Sequence, residues 1–204
     1  VTPAKLATSG RFTFPTGAAN GYGFTSGASH LSGTGSPEGV VTAAPGSTWL
    51  QTDATTDVKG WLRWIKATGT GNTGWVAGPE ADTGWRDVSG SLLNSWTLTS
   101  GLVYIRRVGN RVTVRIAGLT GKSAWADVLT IPSGFAASGS SYALGREVWN
   151  SGNPVMVGIN ATTIGSSETA MIGGTWNSAT MRLQVEANYM TTAAWPSSLP
   201  GTAA

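Results

Sequence analysis

From Leu102 to Gly118 the chain spells out a β-hairpin whose register is readable from the residues alone. Gly109-Asn110 is a two-residue turn of the kind that hairpins prefer. With that loop, Val108 faces Arg111, Ile105 faces Val114, and Val103 faces Ile116. One face then carries Val103, Ile105, Val112, Val114 and Ile116, with Arg107 near the turn. The other carries Tyr104, Arg106, Arg111, Thr113 and Arg115. Both strands agree on which face is apolar, and a slip of one residue would turn the whole set to the wrong side.

The rest of the chain extends this β expectation. Twenty-nine Gly and nine Pro among 204 residues argue against long helices, since each costs a helix interior about 1 to 3 kcal/mol. Short strands are expected at 127–131, stopping at Pro132, at 142–148 and at 155–160. In the segment 181–187, Met181, Leu183, Val185 and Ala187 should point inward, with Arg182, Gln184 and Glu186 outward. Short strands separated by Gly/Ser/Asn turns predict an antiparallel sandwich or jelly roll from about Gly84 onward. The closing Trp195-Pro196-Ser197-Ser198-Leu199-Pro200 can be neither helix nor central strand, and is expected as an extended tail over the surface.

The leading part reads differently. Residues 1–48 carry few large apolar side chains, among them Leu6, Phe12, Phe14, Tyr22, Phe24 and Leu31. That is thin material for an independent core, and no heptad pattern offers a coiled coil instead. Either the segment is disordered or it buries its aromatics against sister copies of itself. The Phe12-Thr13-Phe14 alternation favours the second. Farther on, Trp61, Arg63 and Ile65 share one strand face, and Leu62, Trp64 and Lys66 the other. A strand apolar on both faces needs cover on both, which a neighbouring subunit would supply. Thr-Gly-Trp recurs at 73–75 and 83–85, too few copies for a solenoid. The expected division is a shaft segment at 1–32, a Gly/Trp-rich shaft or neck at 33–84 and a β-sandwich head at 85–204.

Composition removes several function classes. With no Cys there are no disulfides or thiolate metal sites. A net charge of +3 is not the dense basic stripe of a nucleic-acid binder, though it favours an anionic cell-wall polymer. No apolar run is long enough to span a membrane. Charged residues make up 11%, where about 25% is usual, so solubility falls to Ser, Thr, Asn and Gly. The start at Val1, in an open turn-like stretch, suggests a piece of a longer protein.

Residues able to carry chemistry are sparse. His30 is the sole histidine, has no general-base neighbour, and reads as structural. No Gly-x-Ser-x-Gly elbow or phosphate loop is present. A glycosidase needs two carboxylates about 5 to 10 Å apart across a cleft; Glu147 and Asp127 head the candidates, with Glu38, Asp82 and Asp87 in turns. No catalytic residue, metal ligand or cofactor is therefore expected. Tryptophan is the richer signal, because a flat indole stacks on the apolar face of a sugar ring. Trp149-Asn150-Ser151 repeats as Trp176-Asn177-Ser178 in two expected loops, and Trp125 occupies another. Loops of this kind often carry binding, so Trp125, Trp149, Asn150, Trp176 and Asn177 are the candidate glycan-binding residues. The plainer alternative is that these rings plug the ends of a small core. Arg106, Arg111 and Arg115 with Tyr104 would meet an anionic polymer, or form an ordinary solvated or paired face.

Several motifs also carry a resemblance. Gly35-Ser36-Pro37-Glu38-Gly39-Val40-Val41, Ala44-Pro45-Gly46-Ser47, Arg63-Trp64-Ile65-Lys66, Gly69 to Trp75, Asp82-Thr83-Gly84-Trp85-Arg86, Tyr104 to Asn110 and the Trp195-Pro196 ending resemble segments of tail-tip and tail-fibre proteins of phages that infect actinobacteria. The resemblance implies an all-β homotrimer in the virion, with an intertwined trimeric β shaft followed by an antiparallel, jelly-roll-like β-sandwich head. It implies non-enzymatic receptor binding to a host cell-surface polysaccharide, and contact with other tail proteins through a missing N-terminal part. A structural knob or spacer without its own ligand, and a tail-associated polysaccharide depolymerase, are the alternatives. Neither nucleic acid nor membrane insertion is expected.

Overall fold

The computed structural model describes residues 20–23, 27–120, 127–139, 141–147, 154–160, 163–164, 170–171 and 183–204. Among them the fold is all-β, with a single 3-10 turn at Ser89–Ser91 as the helical element.

Five strands form the first sheet: β1 (Asn20–Gly23), β2 (Ser29–Gly33), β3 (Thr48–Gln51), β4 (Leu62–Lys66) and β5 (Trp75–Ala77), in that spatial order. All neighbours are antiparallel except β2 and β3. Parallel neighbours need a crossover of about a dozen residues or more, and residues 34–47 provide it. That crossover lays Val41 into the core. On β4, Leu62, Trp64 and Lys66 point inward and Arg63 outward, as the alternation predicts. The inner face is covered within the chain by Trp49, Trp64, Trp75, Val41, Ala54 and Ala81. Trp195 arrives from the far end of the sequence to complete this cluster. A buried indole needs an acceptor for its N–H, and each of these has one. Trp49 donates to the Gly35 carbonyl (3.1 Å), Trp64 to Gln51 Oε1 (3.0 Å), Trp75 to the Val41 carbonyl (2.8 Å) and Trp195 to Thr56 Oγ1 (3.2 Å). Lys66, though buried, donates its ammonium protons to the carbonyls of Gly71 (2.8 Å) and Thr73.

The second sheet has ten strands: β6 (Arg86–Asp87), β7 (Thr97–Val108), β8 (Arg111–Thr120), β9 (Leu129–Thr130), β10 (Ser141–Glu147), β11 (Pro154–Ile159), β12 (Thr163–Ile164), β13 (Ala170–Met171), β14 (Leu183–Met190) and β15 (Thr202–Ala203). Their order is β15-β6-β7-β8-β14-β10-β11-β12-β9, with β13 beside β11. Every pairing is antiparallel. Leu129, on the last strand of that order, also bridges to Leu92 just ahead of β7. The sheet thus bends back on itself, sandwich-like, around Val103, Ile105, Val112, Val114, Ile116, Leu119, Phe135, Ile164 and their neighbours.

The hairpin β7–β8 has the register read from the sequence: Val108 opposite Arg111, Ile105 opposite Val114, Val103 opposite Ile116. Val103, Ile105, Val112 and Val114 are wholly buried. On β14, Val185 and Ala187 face inward and Glu186 outward, as expected. The ladder shifts register between Leu98 and Leu102. There Gly101 and Gly118 take φ of 142° and 76° and lie against each other's strand. A Cβ on Gly118 would meet the Ser100 carbonyl, and one on Gly101 the Ala117 carbonyl, so the bulge requires glycine at both.

Arg107, the one charged residue on the apolar hairpin face, is 3% exposed. Its guanidinium donates to the carbonyls of Gly109 (2.8 Å), Ala193 (3.0 Å), Ala194 (2.9 Å) and Gly134, and lies 5.0 Å from the Trp195 ring centre. Burial pushes its pKa down to about 10, so it stays cationic at neutral pH. The closing segment is a surface tail only in part, with Ser197 and Ser198 exposed. Trp195 and Pro196 are buried, and β15 adds an edge strand to β6. The carbonyls of 193–194 are held by Arg107, which is why a Pro-rich segment that cannot join a ladder centrally is still firmly placed.

A candidate binding site at an exposed tryptophan

The loop tryptophans and their asparagines, Trp125, Trp149, Asn150, Trp176 and Asn177, lie outside the described residues. Among the described tryptophans, exposure separates one from the rest. Trp49, Trp64, Trp75, Trp96 and Trp195 are buried. Trp85 is half-buried under two guanidinium groups, Arg115 at 4.6 Å and Arg106 at 5.9 Å from its ring centre. Trp61 is 41% exposed.

A tight turn presents Trp61. Asp57 accepts the Lys59 N–H on Oδ1 (2.8 Å) and the Asp82 N–H on Oδ2 (2.9 Å), and its carbonyl accepts the Gly60 N–H (3.0 Å). Gly60 takes a φ of 74°, a left-handed conformation in which glycine carries no Cβ penalty. The chain then enters β4 with Trp61 on the outward face. Lys59 is fixed beside the ring: its Nζ donates to the Glu80 carbonyl (2.5 Å), pairs with Asp57 (3.5 Å) and lies 5.0 Å from the Trp61 ring centre. Trp61, Leu50, Thr52 and Gly60 line an open hollow of about 420 Å³. Leu50, Arg63, Ile65 and Val76 share the outer face, since Leu50 lies opposite Arg63 and Ile65 opposite Val76. Leu50 and Val76 are exposed, and Arg63 pairs with Glu80 at 2.7 Å. The sequence placed Trp61, Arg63 and Ile65 on one face but expected cover for both faces. Among the described residues the inner face is covered, whereas Leu50, Trp61 and Val76 on the outer face are exposed.

Two of the three arginines on the basic hairpin face, Arg106 and Arg115, pair with carboxylates of the same chain. Arg106 makes a two-pronged contact with Asp82 (3.0 and 2.5 Å), and Arg115 pairs with Glu186 (2.7 Å). Burial works to raise the Asp82 pKa, but the hydrogen bonds from Arg106 and the Gly84 N–H, with the charges of Arg106 and Lys59, outweigh it and hold the carboxyl below its ordinary range. Other carboxylates are likewise committed. Glu38 accepts the N–H groups of Gly74 (3.2 Å) and Trp75 (2.7 Å), Asp53 that of Gly35 (2.8 Å), and Asp87 that of Ser89 (2.9 Å). Asp127 is half-buried, and the side chain of Glu147 lies outside the described residues. His30 Nδ1 meets Thr48 Oγ1 at 2.6 Å across β2 and β3. Among the described residues, no three of His, Cys, Asp and Glu gather as a metal site.

Comparison of the chain with protein-family models, with curated proteins and with solved structures gave no match.

Proposed function

We propose that this chain is a non-catalytic attachment module of a phage tail, acting at the host surface, that lays a cell-surface glycan along the outer face of the first sheet at Trp61. The exposed indole beside an open hollow carries the reading. A polymer must pass across its site, so an open shelf suits it better than a closed pocket. The indole supplies a flat apolar surface with a fixed ammonium beside it, and the described carboxylates with hydrogen bonds given above serve as structural acceptors or ion-pair partners. Adsorption of the purified chain to isolated bacterial cell walls tests the proposal. Trp61→Ala should weaken it at least tenfold, about 1.4 kcal/mol, while the thermal unfolding midpoint stays unchanged, because Trp61 belongs to neither core. Unchanged adsorption would refute it.

The same face favours a second reading. Leu50, Ile65 and Val76 extend the apolar surface beyond the indole, which suits a homotrimer in which sister chains cover it. Light scattering decides between the two: a trimer that Trp61→Ala converts to monomer assigns the face to assembly.

A further inference from the structure

A second cavity, of about 430 Å³, lies where the two sheets meet. Buried indoles of Trp64, Trp75 and Trp195 line its base, and Ser36, Glu38, Asn110 and Thr192 its exposed mouth. Its volume falls within the range of small-molecule sites, which are mostly apolar with a few converging polar groups. The chemistry of the lining narrows the ligand. All three indole N–H groups are bonded to Gln51, Val41 and Thr56, so the rings offer apolar surface and no donor. A cationic ligand would compete with cations already present: Arg107 lies 5.0 Å from the Trp195 ring centre and Lys66 5.7 Å from that of Trp75. An anionic ligand would meet the Glu38 carboxylate at the mouth and find the Arg107 donors engaged by four carbonyls. A wholly apolar ligand would strip water from a carboxylate, an amide and two hydroxyls without replacing it.

A neutral ring with hydroxyl groups satisfies each condition. The Glu38 oxygens each accept one backbone N–H and keep lone pairs for ligand hydroxyls, since a carboxylate has about four acceptor positions. Asn110 brings both a donor and an acceptor, and its place beside Gly109 in the hairpin turn fixes its backbone. We propose that the cavity between the sheets is a saccharide-binding site for a single neutral sugar ring, with Trp64, Trp75 and Trp195 beneath it and Glu38, Asn110 and Thr192 holding its hydroxyls. This site is separate from the Trp61 shelf and does not depend on it.

The test uses the full chain carrying Trp61→Ala, so that the shelf contributes nothing. N-acetylglucosamine, galactose and rhamnose are titrated by saturation-transfer NMR, with glucuronate and glucosamine as charged counterparts. At least one neutral sugar should bind saturably, and neither charged sugar should match it. Asn110→Ala and Thr192→Val, both at exposed positions, should each weaken that binding about tenfold, the scale expected for a lost hydrogen bond in a small site. Failure of all three neutral sugars to bind, a charged sugar binding as well as the best neutral one, or full affinity in Asn110→Ala with Thr192→Val would overturn the proposal.

Discussion

The two sheets solve the same burial problem with different side chains. The second is filled mainly by Val, Ile and Leu set at alternate positions on long neighbouring strands, with Trp96, Phe135 and Tyr189 among them. Such residues need only to be apolar and well packed. The first is filled by a few indoles drawn from positions 49, 64, 75 and 195. Each brings a large apolar area and one N–H that must find an acceptor. An aliphatic core therefore follows from periodicity, whereas an indole core depends on individual hydrogen bonds between residues remote in sequence. Arg107 and Trp195 join the two, because the guanidinium on the second sheet holds the segment that carries the indole into the first.

This contrast is most directly broken at Trp195. Trp195→Ala should cost about 3 to 5 kcal/mol and fall on the first sheet. Urea unfolding followed by both tryptophan fluorescence and far-ultraviolet circular dichroism should then show two transitions where the parent shows one. Coincident transitions would mean that the sheets are coupled by something other than this ring. Arg107→Ala strips four carbonyls of their donor and should cost about 3 kcal/mol, lowering the stability of both sheets together. A smaller change sharpens the comparison from the other side: Ile105→Val, in the aliphatic core, should cost about 1 kcal/mol and leave a single transition. The least effect is expected from acid. The Asp82 pKa is lowered in the folded chain, so its ionised form favours folding. That contribution is complete above the unfolded value near 4 and is lost as pH falls through the folded one. Because the pair is partly exposed, the loss should stay below about 1 kcal/mol, and Asp82→Asn should flatten the stability profile in that acid window.

What the residues alone disclose follows the same division. The hairpin register, the inward Val185 and Ala187 on β14 and the two faces of β4 depend on neighbours two positions apart, and all are legible; Met181 and the Leu183 side chain lie outside the described residues. The parallel pairing of β2 with β3 is not, since nothing local distinguishes it from a hairpin. Nor is the insertion of Trp195. Within 27–48, Val41, Leu31 and Ala43 pack with Trp49, Trp64, Trp75 and Trp195, partners that a count of apolar side chains in 1–48 leaves out. Of the candidate site, Trp61 was legible as part of a second apolar face. That Trp61 is exposed among the described residues was not, since exposure depends on contacts with residues remote in sequence.

The place of Trp195 in the first core bears on how the molecule is made. Domains commonly fold from the N-terminus as the ribosome extends the chain. Here the earliest-synthesised sheet waits, its hydrophobic pocket unsealed, until a residue more than a hundred positions later has cleared the exit tunnel. Agents that guard nascent chains would meet their longest task at the first sheet, and a premature stop shortly before Trp195 would injure strands laid down more than a hundred positions earlier.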